Sequence, residues 1–257
     1  LRTGRITIGN SSLNISQAGL VTTVSSANYG LPVSPESIAT AFGADLALGV
    51  FNSDVTPLPT NLNGTSVRVT DANLNNRSSP LFYVSPSQVN FQVPAGTASG
   101  TATVTIFVNG TTVASGSLQV QSVSPSLFSA NSSGKDVAAA YVLRIKPDGS
   151  QSIEPVAVFN QAQNRFVDKP IDFGPETDKI VLVIFATGVR GRTSVNNVKA
   201  LLSGQELPVD FAGPQGSFVG LDQINIPIPR TFKGRGEVSI ILRVDTRDSN
   251  SVTVNFQ

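Results

Sequence analysis

Histidine, cysteine, methionine and tryptophan are all absent from this chain of 257 residues. Without histidine and cysteine, neither a Ser-His-Asp nor a Cys-His nucleophilic system can be assembled, and the usual His/Cys zinc sites are excluded. Without cysteine there are no disulfides, so stability rests on burial, and cysteine usage carries no information on redox compartment. Without methionine there is no translation start, and Leu1 reads as a processing point or the edge of a longer chain. Charge is also sparse, at 14% of residues, with 18 basic and 17 acidic side chains and a net charge of +1. Scattered in this way, it leaves no footprint for nucleic acid and no polybasic patch for a membrane surface. The longest apolar run, residues 180–186, falls far short of the roughly 18–20 residues of a membrane helix. It reads as a buried central strand.

What is present is a repeat. Residues 80–94 read PLFYVSPSQVNFQVP and residues 208–229 read PVDFAGPQGSFVGLDQINIPIP. Both start at a proline and pass through a short alternating run. Both reach Gln-aliphatic-Asn (Gln88 and Asn90; Gln223 and Asn225) and close on Pro94 or Pro229. A repeat of this kind indicates two copies of one folding module. Period-two alternation of β-branched residues runs through 67–69, 101–108, 238–244 and 252–254, and Asn63-Gly64, Asn109-Gly110, Pro147-Asp148-Gly149 and Ser203-Gly204 punctuate it as turns. Residues 35–47 come nearest to a helical period without reaching one. Many short strands with Gly/Pro turns predict an all-β fold of two tandem immunoglobulin-like β-sandwiches, plus an N-terminal β-hairpin or donor strand.

The domain reading is an N-terminal strand segment (1–19), a first sandwich (20–121), and a second sandwich (122–257) that carries inserted strands. Residues 33–46 are matched to 178–189, with Phe42-Gly43 set against Ala186-Thr187-Gly188.

Residues 34–43 (SPESIATAFG), 81–94 (LFYVSPSQVNFQVP), 124–128 (SPSLF), 186–188 (ATG) and 218–225 (FVGLDQIN) together resemble a bacterial family. It is the C-terminal domain that recurs in large secreted proteins of acidobacteria and related soil bacteria. The resemblance covers roughly residues 25–257. It implies tandem immunoglobulin-like modules of the IPT/TIG kind on secreted or surface proteins, and it supplies no catalytic motif. Residues 2–9 and 13–19 resemble the last hairpin of a BACON-type β-sandwich whose remainder is absent. Ile6, Ile8, Leu13 and Ile15 alternate there, and an isolated hairpin is marginal in water, so it is expected to pack on something.

Candidate sites are few. Asp71, Asn73 and Asn75 match the opening of a calcium loop. Asn76 stands where that loop needs glycine and Phe82 where it needs glutamate, so a polar hairpin tip between 67–70 and 81–84 is preferred, with calcium as the second option. Gln88 and Asn90 share one face of a strand, as do Gln223 and Asn225. Their expected duty is structural, satisfying backbone groups where the strand bends into Pro94 or Pro229. Arg190-Gly191-Arg192 reads as a solvated basic loop, joined by Lys199 if the fold brings it near. The acids, Asp168 and Asp222 among them, show no spacing that selects a catalytic pair.

The expected function is therefore non-catalytic and cofactor-free: an extracellular structural or adhesive protein of a bacterial surface. Residues 1–19 either complete a sheet on a neighbouring β-domain or second copy, as in a pilus-like filament, or fold back on the first module. The alternative is an accessory carbohydrate-binding module with surface glycans as partners. No nucleic acid or membrane insertion is expected.

Overall fold

Alternating side chains and tight turns set the local structure. In the computed structural model of the chain, residues 2–257 are described, with the side chains of 2, 3 and 14–16 excepted. Among the described residues the regular structure is β-strand, relieved by two single-turn 3₁₀ segments at Val195–Asn197 and Arg230–Phe232. Among the described residues no helix is long and apolar enough to cross a membrane. Three two-residue turns, Asn63-Gly64, Asn109-Gly110 and Ser203-Gly204, hold positive φ at both positions, the backbone that matches hairpin twist.

The chain divides into two compact units. One takes the chain up to Ser26 together with Leu31–Gln121, and the other takes Ala27–Gly30 with Ser122–Gln257. Ala27–Gly30 thus leaves the span expected for the first module. The Tyr29 hydroxyl donates to the Ser132 carbonyl at 2.9 Å.

The first unit begins with β1 (Arg2–Ile8), β2 (Ser11–Gln17), β3 (Gly19–Leu20), β4 (Thr22–Ser25), β5 (Ile38–Phe42) and β6 (Phe51–Asn52). It continues with β7 (Asn61–Leu62), β8 (Thr65–Thr70), β9 (Asn76–Ser78) and β10 (Leu81–Val84). β11 (Gln88–Gln92), β12 (Gly100–Val108) and β13 (Thr111–Val120) complete it. One sheet runs β4-β5-β11-β10-β6 and the other β3-β13-β12-β8-β7, with β9 on β8. These are the A-B-E-D and G-F-C orders of an immunoglobulin-type sandwich. Between the sheets lie Val67, Val69, Leu81, Val89, Phe91, Val104, Ile106 and Leu118, all nearly inaccessible.

The second unit opens with β14 (Ser126–Leu127), β15 (Ala140–Ile145), β16 (Gln151–Pro155), β17 (Ala157–Asn160), β18 (Arg165–Asp168) and β19 (Lys179–Thr187). Then follow β20 (Val198–Leu202), β21 (Gln205–Pro208), β22 (Phe211–Pro214), β23 (Asp222–Pro227), β24 (Gly236–Val244) and β25 (Arg247–Phe256). The order β15-β19-β23-β22, extended by β16, again corresponds to A-B-E-D, and β21-β20-β24-β25 to C′-C-F-G. Its core adds three aromatic rings: Phe256 lies 5.7 Å from both Phe173 and Phe232, centroid to centroid. β17 and β18 form a separate two-stranded sheet.

Register refines the internal alignment. Gln88 pairs with Phe42, and Gln223 with Phe185. Phe42 is therefore equivalent to Phe185, not to the Ala-Thr-Gly that follows it, because β19 continues two residues beyond Phe185. The segment 35–47 contributes a strand, β5. The 71–75 tip joins β8 to β9 within one sheet, whereas β10 crosses to the other.

Candidate interaction surfaces

β1 and β2 pair with each other over Arg2↔Gln17 to Ile8↔Ser11, and among the described residues no further strand joins them. The register Ile6↔Leu13, with Ile8 two residues on, sets these apolar residues on one face of the hairpin. On the other face the Arg5 guanidinium donates to the Ser12 hydroxyl at 2.7 Å. The apolar face is bare: Ile6, Ile8 and Leu13 are 48%, 78% and 63% exposed. Ile15 pairs with Gly4 in this register, and its side chain lies outside the described residues.

The Gln-x-Asn pairs occupy equivalent places on β11 and β23. Val89 and Phe91, or Ile224 and Ile226, point into the cores, so the amides point outward and are half-buried. Gln88 Nε2 donates to Asn90 Oδ1 at 2.8 Å, and Gln223 Nε2 donates to Asn225 Oδ1 at 2.8 Å. The amides bond to each other, not to the bending backbone as the sequence suggested, because residues two apart on a strand stand side by side. In the first unit the Thr40 hydroxyl also donates to Asn90 Oδ1, at 3.0 Å. Val183 fills that place in the second unit. Pro94 and Pro229, six residues beyond the glutamines, each accept from the N–H three residues on, Thr97 at 3.3 Å and Phe232 at 3.0 Å.

The rings beside these amides lie on other strands, so nothing in the local sequence pointed to them. Phe42 stands opposite Gln88 and Tyr83 opposite Asn90. Phe185 stands opposite Gln223 and Phe211 opposite Asn225. Phe42 and Phe211 are 37% and 39% exposed.

The Asp71 turn does not suit a cation. Oδ1 accepts from the N–H groups of Asn73 and Asn75 at 3.0 Å each, and Oδ2 accepts from Ala98 N at 3.1 Å and Arg77 at 2.5 Å. Both oxygens are committed to donors, so the calcium option gives way to a turn-closing role. Burial alone would raise this carboxyl; the Ala98, Asn75 and Asn73 N–H groups and the Arg77 guanidinium outweigh it and hold it below the ordinary range. Among the described residues no group of three or more acids is placed to hold a metal.

The basic loop is also largely committed. Arg190 donates to Asp222 Oδ1 at 2.7 Å, and Asp222 Oδ2 accepts from Val189 N at 3.1 Å. Burial pushes the Asp222 carboxyl up despite Arg190 and the Val189 and Gly188 N–H groups. Lys199 lies on β20, in the opposite sheet, while a Cβ at Gly213 would meet the Arg192 guanidinium at 3.5 Å. Arg144 spends its guanidinium on Glu154, Asp178 and the Asp172 and Phe173 carbonyls, and Arg230 gathers the carbonyls of residues 173–176 and 178. These arginines close the loop before β19.

A cavity of about 330 Å³ in the second unit is lined by Asp136, Arg165, Phe166, Asp168 and Glu237, with hydroxyls from β25. Burial, then the neighbouring Glu237 and Asp136 carboxylates, pushes the Asp168 carboxyl up.

No family model matches the chain, and no curated protein matches it. Among solved structures it is similar to bovine butyrophilin at 10% identity, over 92% of this chain and 99% of that one, with a TM-score of 0.25. At that score the likeness carries no argument, and the immunoglobulin-type assignment here rests on strand order.

Proposed function

We propose that this chain is a non-catalytic structural or adhesive pair of immunoglobulin-like modules from an extracellular bacterial protein, joined to neighbouring β-domains through β1 and β2. The observation that carries the proposal is the hairpin: among the described residues it is paired with no other strand, and Ile6, Ile8 and Leu13 stand exposed on one face. Both outer edges of such a hairpin offer unpaired backbone groups, and the apolar face offers side chains for pockets on the receiving sheet. A head-to-tail contact of this type does not close on itself and builds a fibre. The lack of histidine and cysteine, and the resemblance to C-terminal modules of secreted proteins, support the same reading.

Light scattering and electron microscopy on the chain, with and without residues 2–17, test it. Concentration-dependent assemblies that vanish on truncation are expected. A monomer in both cases, or assemblies of unchanged size after truncation, sinks the assembly role.

A further inference from the structure

The two amide pairs do more than repeat a sequence. In each unit the Gln Nε2 to Asn Oδ1 bond leaves the Gln Oε1 acceptor and the Asn Nδ2 donor with no hydrogen bond in the described chain, and neither atom is enclosed. A donor and an acceptor are thus left over on the outward face of each half-buried pair, held in place by the bond between the two amides. Strand B supplies a phenylalanine opposite the glutamine, and strand D supplies an aromatic residue opposite the asparagine. The backbone positions that carry the two rings lie on either side of strand E, about 9.5 Å apart across the sheet and about 7 Å along it.

What differs between the units sharpens the point. The Thr40 hydroxyl that supports Asn90 has no counterpart, since Val183 stands opposite Asn225. Gln, Asn and the two flanking rings are what both units keep. A purely structural amide pair needs no ring on either side.

Charge and backbone decide the occupant. β4, β5, β10 and β11 contain no charged residue. In the second unit Asp222 and Arg144 are buried, and Arg192 at Gly213 is the cation near the rings. The first face thus offers no charge to a phosphate backbone or ionic partner, and the second offers only Arg192, which also donates to the Val189 carbonyl at 3.4 Å. β5 and β11 are paired on both sides, so an incoming peptide strand finds no free backbone edge between the rings. An uncharged sugar chain fits instead. The C–H face of a pyranose covers an aromatic ring, and its hydroxyls both donate to and accept from fixed amides.

We propose that each unit carries a binding face for neutral polysaccharide, built from Phe42, Gln88, Asn90 and Tyr83 in the first and from Phe185, Gln223, Asn225 and Phe211 in the second. This rests on the adhesive part of the reading above and not on the hairpin. Two such faces on one chain raise retention on an insoluble polymer beyond what either gives alone.

The test is affinity electrophoresis and pull-down of the full chain on β-glucan, xylan and mannan, with polygalacturonate as the charged control. Phe42→Ala, Phe211→Ala and their combination are compared, with thermal unfolding to confirm that each variant is folded. Retention on at least one neutral polymer and none on polygalacturonate is expected, falling about tenfold for each ring removed. Gln88→Leu with Gln223→Leu keeps the rings but removes the outward acceptors, and is expected to weaken retention as well. No retention on any neutral polymer overturns the proposal, and so does retention that survives the doubly substituted variants or equals that on polygalacturonate. The chain lacking 2–17 is run alongside. Unchanged retention there separates this face from the assembly role, so that either can fail alone.

Discussion

The two units reach one strand order with different interiors. The first fills its sandwich mainly with aliphatic side chains around Phe91, and its A, B, E and D strands carry no charge. The second builds its core around Phe173, Phe232 and Phe256 and holds buried ions at Arg144, Asp178 and Asp222. The position before the glutamine shows the difference at a single residue. It is Ser87 in the first unit and Asp222 in the second, where the carboxylate ties down Val189 and Arg190. The longer segment between β14 and β19 brings Phe173 and the loop that Arg144 and Arg230 clamp. Strand order thus tolerates a change of interior chemistry, provided the inward positions of B and E stay apolar.

The largest expected effect is at the ring cluster. Phe256→Ala removes a side chain shared by two other rings and is expected to cost about 4–5 kcal/mol in chemical denaturation. Phe91→Ala, in a core without a ring partner, is expected nearer about 3 kcal/mol, and equal losses would break this contrast. Next is Asp222→Ala, which strands the Arg190 guanidinium and the Val189 N–H, at about 3–4 kcal/mol. Replacing Asp222 and Arg190 together by apolar residues is expected to recover much of that loss. Close backbone approaches come third. A Cβ at Gly116 would collide with the Val21 carbonyl and one at Gly191 with the Ser122 carbonyl, so either alanine is expected to cost about 1–3 kcal/mol.

Titration separates the units in sign. Asp71 is held below its ordinary 3.8, so its contribution is present above that pH and is lost as pH falls through the lower folded value. Asp222 is raised above 3.8, so its contribution is greatest below that pH and fades as pH rises through the higher folded value. Carboxyl NMR titration is expected to place Asp71 below and Asp222 above 3.8, and the reverse order would overturn the assignment of causes.

The smallest effect is the most discriminating for the repeated amides. Gln223→Ala removes the side-chain donor to Asn225 and is expected to cost about 1 kcal/mol. Gln88→Ala leaves Asn90 with the Thr40 hydroxyl and is expected to cost less. A larger loss at Gln88 would mean that the two pairs are not equivalent supports.

Much of this was legible along the chain. Alternation at 101–108 and 238–244, and Asn-Gly at 63–64 and 109–110, anticipate strands and turns, because these depend on neighbours in sequence. The repeated Gln-x-Asn pointed to the right strands but not to the bond between the amides, nor to the rings beside them. Asp71 resembled a metal ligand because spacing was visible and the donors from Asn73, Asn75, Arg77 and Ala98 were not. Arg190 looked solvated for the same reason, since its partner Asp222 lies 32 positions away.

The amino-acid order alone determined the longer strands, their outward and inward faces and the tight turns, and it pointed to two modules, since alternation and turn chemistry act over a few residues. Tertiary structure decided which strands lie side by side. Phe42 reaches Gln88, and Asp222 reaches Arg190, through pairings 46 and 32 residues apart, and no local signal encodes the partner of a strand whose neighbour is so distant in the chain.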